Sequence, residues 1–212
     1  MINSSQKDLI VLAADNNMRA AMLSVLDRYE SLDIRRISFD IYVHPRHDPG
    51  CLLNAHSFLQ PFAQNYLFSL VMFDKEGCGQ EEKTVAELER GVEGLLSESK
   101  WKDRSCAITI DPELETWVWK KSPHVTSAIG WTKSFDDLYS WLKTKGYLKE
   151  GEYYPEHPKE ALEAVLRTVR KPRSSSIYSE LGSNLGLKNC TDPSFLRLQS
   201  HLQSWFPPNN SD

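Results

Sequence analysis

Two short runs in this chain, DLIVLAA at 8–14 and FSLVMF at 68–73, contain almost no polar residue. A strand of that kind is expected where helices cover both faces of a sheet. Two further apolar runs, RRISFDIYV at 35–43 and SCAITI at 105–110, also read as buried strands. The stretches between them have helical spacing. Residues 17–31 place Met18, Met22, Val25 and Leu26 on one stripe, and residues 83–97 do the same with Val85, Leu88, Val92, Leu95 and Leu96. The 51–66 stretch is a weaker helix interrupted by Pro61. Strand and helix in alternation predict an α/β fold with a mostly parallel four-stranded sheet flanked by helices.

After residue 111 no strand pattern follows. Residues 135–145, 158–170 and 193–205 carry helical periodicity, and Pro158 and Pro193 sit where a first helical turn tolerates them. The stretch KPRSSS at 171–176 is the most loop-like. The expected organisation is an α/β body over 1–120 and a helical C-terminal extension over 121–212 that folds back on it. A chain of 212 residues can bury one sizeable core.

The net charge of −4 offers no global attraction to a polyanion. Any nucleic-acid role then rests on a local basic patch or on metal ions offsetting clustered acids. Cys51, Cys78, Cys106 and Cys190 are scattered with no C-x-x-C pair, which argues against a zinc knuckle or a disulfide framework. The opening MINSSQKDLIVLAAD lacks the basic and long apolar segments of a signal region, and no run approaches a membrane span. A cytoplasmic protein with no membrane partner is the expectation.

In an open parallel sheet, ligands bind beyond the carboxyl ends of the strands. Here those ends are acidic or polar: Asp15 after the first run, HPRHDPG (44–50) after the second, Asp74 and Glu76 after the third, and DPELETW (111–117) after the fourth. Mg²⁺ and similar hard cations take carboxylate oxygens, commonly one or two beside substrate phosphate. Asp74 and Glu76 point to one side if the backbone stays extended, and Gly77 and Gly79 let the chain turn close to a ligand. A cation there would clamp a phosphodiester and lower the pKa of an attacking water. The competing reading is an ordinary turn with solvated acids. Asp111 fits a helix N-cap with Pro112 as first helical residue and Glu113 in the first turn, whereas Glu115 is less easily assigned to capping. Arg46 in HPRHDPG suits a phosphate contact; His44 and His47 lack partners spaced to complete a soft-metal site. Arg167, Arg170, Lys171 and Arg173 suit either backbone-phosphate contact or a solvated face. Cys78 has no histidine arranged to activate it. Neither G-x-x-x-x-G-K-[ST] nor G-x-G-x-x-G occurs, which argues against a nucleotide-binding domain.

Taken together, LIVLAADNNM, FDIYVHPRHDPG, LVMFDKEGCG and IDPELETWVW resemble Toprim-like proteins, the metal-dependent phosphoryl-transfer fold of topoisomerases, primases and certain nucleases. Asp74 and Glu76 match that family's D-x-D-type pair with Glu in the second place, and Asp15 lies near its first-strand acid, where Ala14 stands in this chain. The chain is most similar to the small Toprim-like component of methylation-associated antiphage defence systems, in which an E-x-W element corresponds to Glu115 and Trp117. The tail IYSELGSNLGLKNCTDPSFLRL is also similar to the ends of such proteins.

That resemblance implies a Mg²⁺- or Mn²⁺-dependent nuclease or phosphoryl-transfer subunit in antiviral defence, with DNA favoured over RNA as substrate. Asp74, Glu76 and Glu115 are the expected metal ligands, with Asp111 a further candidate. Asp15 is expected to act as ligand or proton shuttle, Glu115 as a third catalytic acid and Arg46 as phosphate clamp. The alternative is a catalytically inactive Toprim-like adaptor. It would bind an ATPase or another defence subunit through the aromatic-rich extension (Trp131, Tyr139, Trp141, Trp205).

Overall fold

A computed structural model describes residues 6–119, 123–152, 154–184 and 190–209. Four parallel strands, β1 (Lys7–Ala13), β2 (Phe39–Val43), β3 (Tyr66–Asp74) and β4 (Ser105–Ile110), form one sheet in the order β2-β1-β3-β4. The two apolar runs are its centre. Leu9 to Ala13 of β1 and Leu70 to Phe73 of β3 are inaccessible to solvent and lie side by side, Val11 beside Leu70 and Leu12 beside Val71. Both faces of the sheet are therefore buried, as continuous apolar strands require.

Helix α1 (Asn16–Leu26) starts where the Asp15 carboxylate accepts a 2.8 Å hydrogen bond from the Met18 amide, satisfying one of the donors a helix leaves open at its first turn. A single turn, α2 (Tyr29–Leu32), follows. Helix α3 (His47–Leu59) runs into a 3₁₀ turn at Gln60–Phe62, where Pro61 ends the regular helix. Helix α4 (Val85–Glu98) begins with a capping box in which Thr84 and Glu87 exchange hydrogen bonds. Its inner face lays Leu88, Val92 and Leu96 on the core, and its Glu89 and Glu93 reach the outer edge of β4. Glu89 accepts from the Thr109 amide and Glu93 from the Ala107 amide, each at 3.0 Å. Arg197 ties both carboxylates, at 3.0 and 2.7 Å. An edge strand whose amides are occupied in this way is closed to further pairing.

The described part of the C-terminal extension is helical: α5 (Pro123–Ile129), α6 (Phe135–Thr144), α7 (Pro158–Val169), α8 (Ser175–Asn184) and α9 (Pro193–Trp205). Helix α8 begins inside the stretch read as a linker, so only residues before Ser175 are loop there. It packs tightly on α1. Gly182 lies so close that an added Cβ would stand 2.7 Å from the Ala21 carbonyl oxygen, and Ser24 and Ser179 share a 2.8 Å hydrogen bond. Helix α9 returns to the opposite end of the sheet, where Trp205 stacks on Phe68 with ring centroids 4.7 Å apart. No helix among the described residues is long and apolar enough to cross a membrane.

Candidate functional site

The order β2-β1-β3-β4 reverses between β1 and β3: the chain leaves β1 for β2 on one side and returns to β3 on the other. The loops leaving these two strands part there and open a crevice at their carboxyl ends. A cleft of ≈ 300 Å³ occupies that position, lined by Asp15, Asp48, Asp74, Glu76, Glu113 and Glu115, with Lys159 and Arg173 on its far wall. Acids from four separate segments thus share one cavity.

All of these acids except Glu76 have a structural occupation that holds them in place. Asp15 caps α1. Asp48 accepts a 2.8 Å hydrogen bond from the Asp74 amide, and Asp74 accepts one of 2.9 Å from the Leu114 amide. Glu113 accepts from the Lys159 amide at 2.7 Å, and the Lys159 ammonium stands 3.9 Å from its other oxygen. For Asp15, Asp48 and Asp74 the second oxygen makes no hydrogen bond with the described residues. Glu76 is exposed at the mouth, and its carboxylate makes no hydrogen bond with the described residues. Behind it the chain turns through Gly77 and Gly79, whose φ of 85° and 84° lies in the left-handed region that favours glycine. Their amides both donate to Glu81.

So much negative charge in one place perturbs its members. Burial pushes the Asp74 carboxyl well above the usual carboxylate range, and the charges of Asp48, Glu115, Asp15 and Glu113 push it further. Asp48 moves the same way, first through burial and then through Asp15, against the pull of its hydrogen bond from Asp74. Glu113 is raised to about 7 by burial, with Glu115 and Glu76 adding to the effect and Lys159 opposing it. Uncompensated acids in a partly closed cavity hold protons longer because the charged forms repel one another and have lost water.

Glu115 behaves differently. It is almost fully buried and accepts hydrogen bonds from the Arg173 guanidinium, at 2.5 Å, and from the Tyr178 hydroxyl. Arg173 also reaches Glu163 at 3.4 Å and donates to the Tyr178 oxygen at 2.8 Å. The segment after β4 is a clasp for the extension. Glu113 holds the start of α7, and Glu115 holds the α7–α8 connection. The Trp117 indole donates to Asp192 and Ser194 at the start of α9, and that of Trp119 donates to Pro158.

Of the residues singled out in the sequence, Asp15, Asp74, Glu76 and Glu115 line the one cleft, and Arg46 and Asp111 do not. Asp111 corrects two expectations. Its carboxylate turns outward to Lys75 at 3.1 Å, so it is not among the clustered acids. Nor does it cap a helix, because a 3₁₀ turn starts only at Leu114, preceded by extended Glu113. Arg46 is exposed and its guanidinium donates to Asn54 on α3 at 3.0 Å; the cations that do reach the cleft come from the extension. Asp48, Glu113, Lys159 and Arg173 join the site without having been selected for it. Asp48 had a local signal, an acid in the HPRHDPG stretch that follows β2, and it falls in the first turn of α3. The placement of Lys159 had none, because it depends on how α7 docks.

The donor chemistry fits a hard divalent cation: carboxylates at a switch point, with second oxygens unoccupied and charges raised against one another. The arrangement is open. Among the described residues, no three His, Cys, Asp or Glu side chains are gathered tightly enough to hold an ion between them, so binding one requires side chains to move inward. No family model, no curated protein and no solved structure matches the chain. Its fold is the α/β arrangement described above, and the cleft has to be read from its own chemistry.

Proposed function

We propose that this chain is a divalent-cation-dependent phosphoryl-transfer protein of the Toprim-like kind. On this reading it works as a nuclease subunit in antiphage defence, with Mg²⁺ or Mn²⁺ as cofactor and DNA as the favoured substrate. The observation that carries the reading is Asp74, set at the β1/β3 switch point in one cleft with Asp15, Asp48, Glu76 and Glu113; burial first, and then the neighbouring carboxylates, hold its proton longer than usual. Charge of that density is offset either by protons or by a cation, and a cation that binds there displaces the protons.

Asp15, Asp48 and Asp74 would hold the ion through the oxygens they do not spend on backbone amides, with Glu76 swinging in from the mouth. A bound divalent ion supplies charge neutralisation on a phosphate and a more acidic water. The chain's own part is to fix the acids by backbone hydrogen bonds before the ion arrives, so that little reorganisation is left for the reaction. Lys159, half-exposed and only loosely tied to Glu113, would meet a phosphate oxygen. Arg173 is the poorer candidate, since each of its three nitrogens is already engaged, by Glu115, Glu163 and Tyr178.

One observation favours a second reading, a catalytically inactive adaptor that binds other defence subunits. Glu115, expected to be a third acid, is locked by Arg173 and Tyr178 and serves to fasten the extension. Thermal shift with Mn²⁺ separates the two. Stabilisation that disappears in Asp74→Asn, together with chelator-sensitive cutting of DNA, supports the enzyme. Indifference to Mn²⁺ at millimolar concentration removes it and leaves the adaptor.

A further inference from the structure

The two edges of the sheet differ. At β4 the outward amides of Ala107 and Thr109 are occupied by Glu93 and Glu89. The other edge strand, β2, has no such cover among the described residues. Its pairing with β1 fixes which of its groups are left over. The Leu9 amide donates to the Ser38 carbonyl, and the His44 amide to the Ala13 carbonyl. By the alternation of a ladder, Asp40 and Tyr42 then turn their backbone groups toward β1 as well, while Phe39, Ile41 and Val43 turn theirs away. Those outward amides and carbonyls make no hydrogen bond with the described residues. The strand contains no proline or lysine, and its register with β1 runs without a bulge, so the usual devices that keep an edge from pairing are missing. On one face Tyr42, 37% exposed, stands by Phe58 and Phe62 with ring centroids 6.3 and 5.2 Å away.

We propose that β2 pairs antiparallel with β2 of a second copy of this chain, about a twofold axis at Ile41, so that two sheets become one. The strand is complementary to itself in that register. Ile41 exchanges both backbone hydrogen bonds with its counterpart, and Phe39 does so with Val43 of the second copy. Asp40 comes to face Tyr42, and no like charges meet. The neighbouring registers are worse. An axis at Asp40 sets two carboxylates directly opposite each other. An axis at Tyr42 sets Phe39 opposite Pro45, which has no N–H to donate. Because the β4 edge is closed, copies cannot add β2 to β4 in an open row, and association stops at the twofold pair. The two acid clefts, each beyond the carboxyl ends of its own strands, would open at opposite ends of the joined sheet.

The test is sedimentation velocity of the full chain over a concentration series reaching about 100 µM, with the variants Tyr42→Asp and Tyr42→Lys beside it. A monomer–dimer equilibrium is expected. Tyr42→Asp brings a second acid opposite Asp40 of the other copy, twice by symmetry, whereas Tyr42→Lys brings an opposite charge. Both variants lose the same ring, so the comparison isolates charge across the twofold. The Asp variant should dimerise at least about tenfold more weakly than the Lys variant. Hydrogen exchange of the unaltered chain supplies a measurement that needs no variant. The amides of Phe39, Ile41 and Val43 should exchange quickly in dilute solution and gain protection as concentration rises. A chain that stays monomeric throughout overturns the proposal. So does a dimer in which the two variants associate equally, or one in which these three amides exchange as fast as in the monomer.

Discussion

Glu113→Gln isolates the electrostatic cost of the cleft. The Gln carbonyl can still accept from the Lys159 amide, which lies 2.7 Å from the present Oε1, so the change removes charge and little else. Glu113 is almost fully buried, and its carboxyl is raised from 4.5 to about 7. The folded state therefore holds this proton after the unfolded chain has released it. Stability contributed by the group is present below about 4.5 and falls as pH rises toward about 7. At about 1.4 kcal/mol per unit, the full effect is about 3 kcal/mol. For a chain of this size that is about 6–12 °C in melting temperature. Asp48 and Asp74 shift in the same direction, so the unaltered chain should lose stability still more steeply. Comparing it with the variant removes their shared part. Urea unfolding of both proteins from pH 4 to 8 is the assay. The curves should coincide at the acid end and separate above pH 5, with Glu113→Gln the more stable at pH 8. A difference independent of pH, or a less stable variant at pH 8, would refute the electrostatic reasoning.

Three other outcomes follow from the packing. Gly182→Ala forces a methyl against the Ala21 carbonyl and should cost about 1–3 kcal/mol, while Ser183→Ala on the exposed side of α8 should cost little; denaturant midpoints check both. Glu89→Ala leaves the buried Thr109 amide without its acceptor and Arg197 without one partner, an expected loss of about 1–3 kcal/mol with faster amide exchange along β4. Arg173→Met leaves Glu115 buried with only the Tyr178 hydroxyl. An expected cost of about 3–5 kcal/mol should appear first as protease sensitivity in the extension, because that pair fastens it.

The sheet was legible because its central strands must be apolar on both faces, and few other structures tolerate DLIVLAA or FSLVMF. The edges of the elements moved by a few residues: β2 covers only Phe39–Val43 of the longer run predicted. Helix α8 was hidden because SSSIYSELGSN begins as a serine-rich turn would, and its helical state is decided by Gly182 meeting α1, a contact no local pattern records. The same limit applies to the cleft. Asp15, Asp74 and Glu76 could be found from the strand ends alone. What Glu115 does could not be, because its partners Arg173 and Tyr178 stand 58 and 63 positions further on. Asp111 misled for a local reason: Asp-Pro-Glu reads as a helix start, yet the chain bends at Asp111 and Pro112 and is extended at Glu113 before a 3₁₀ turn begins at Leu114.

The direct test of the cleft is a crystal grown or soaked in Mn²⁺ and measured at a wavelength where manganese scatters anomalously. The account predicts a peak within about 2.3 Å of a carboxylate oxygen of Asp74, with Asp15, Asp48 or Glu76 turned in to share it. A cleft with no peak at saturating Mn²⁺, its acids still bound only to the backbone, would contradict the claim that these side chains meet in order to hold a cation.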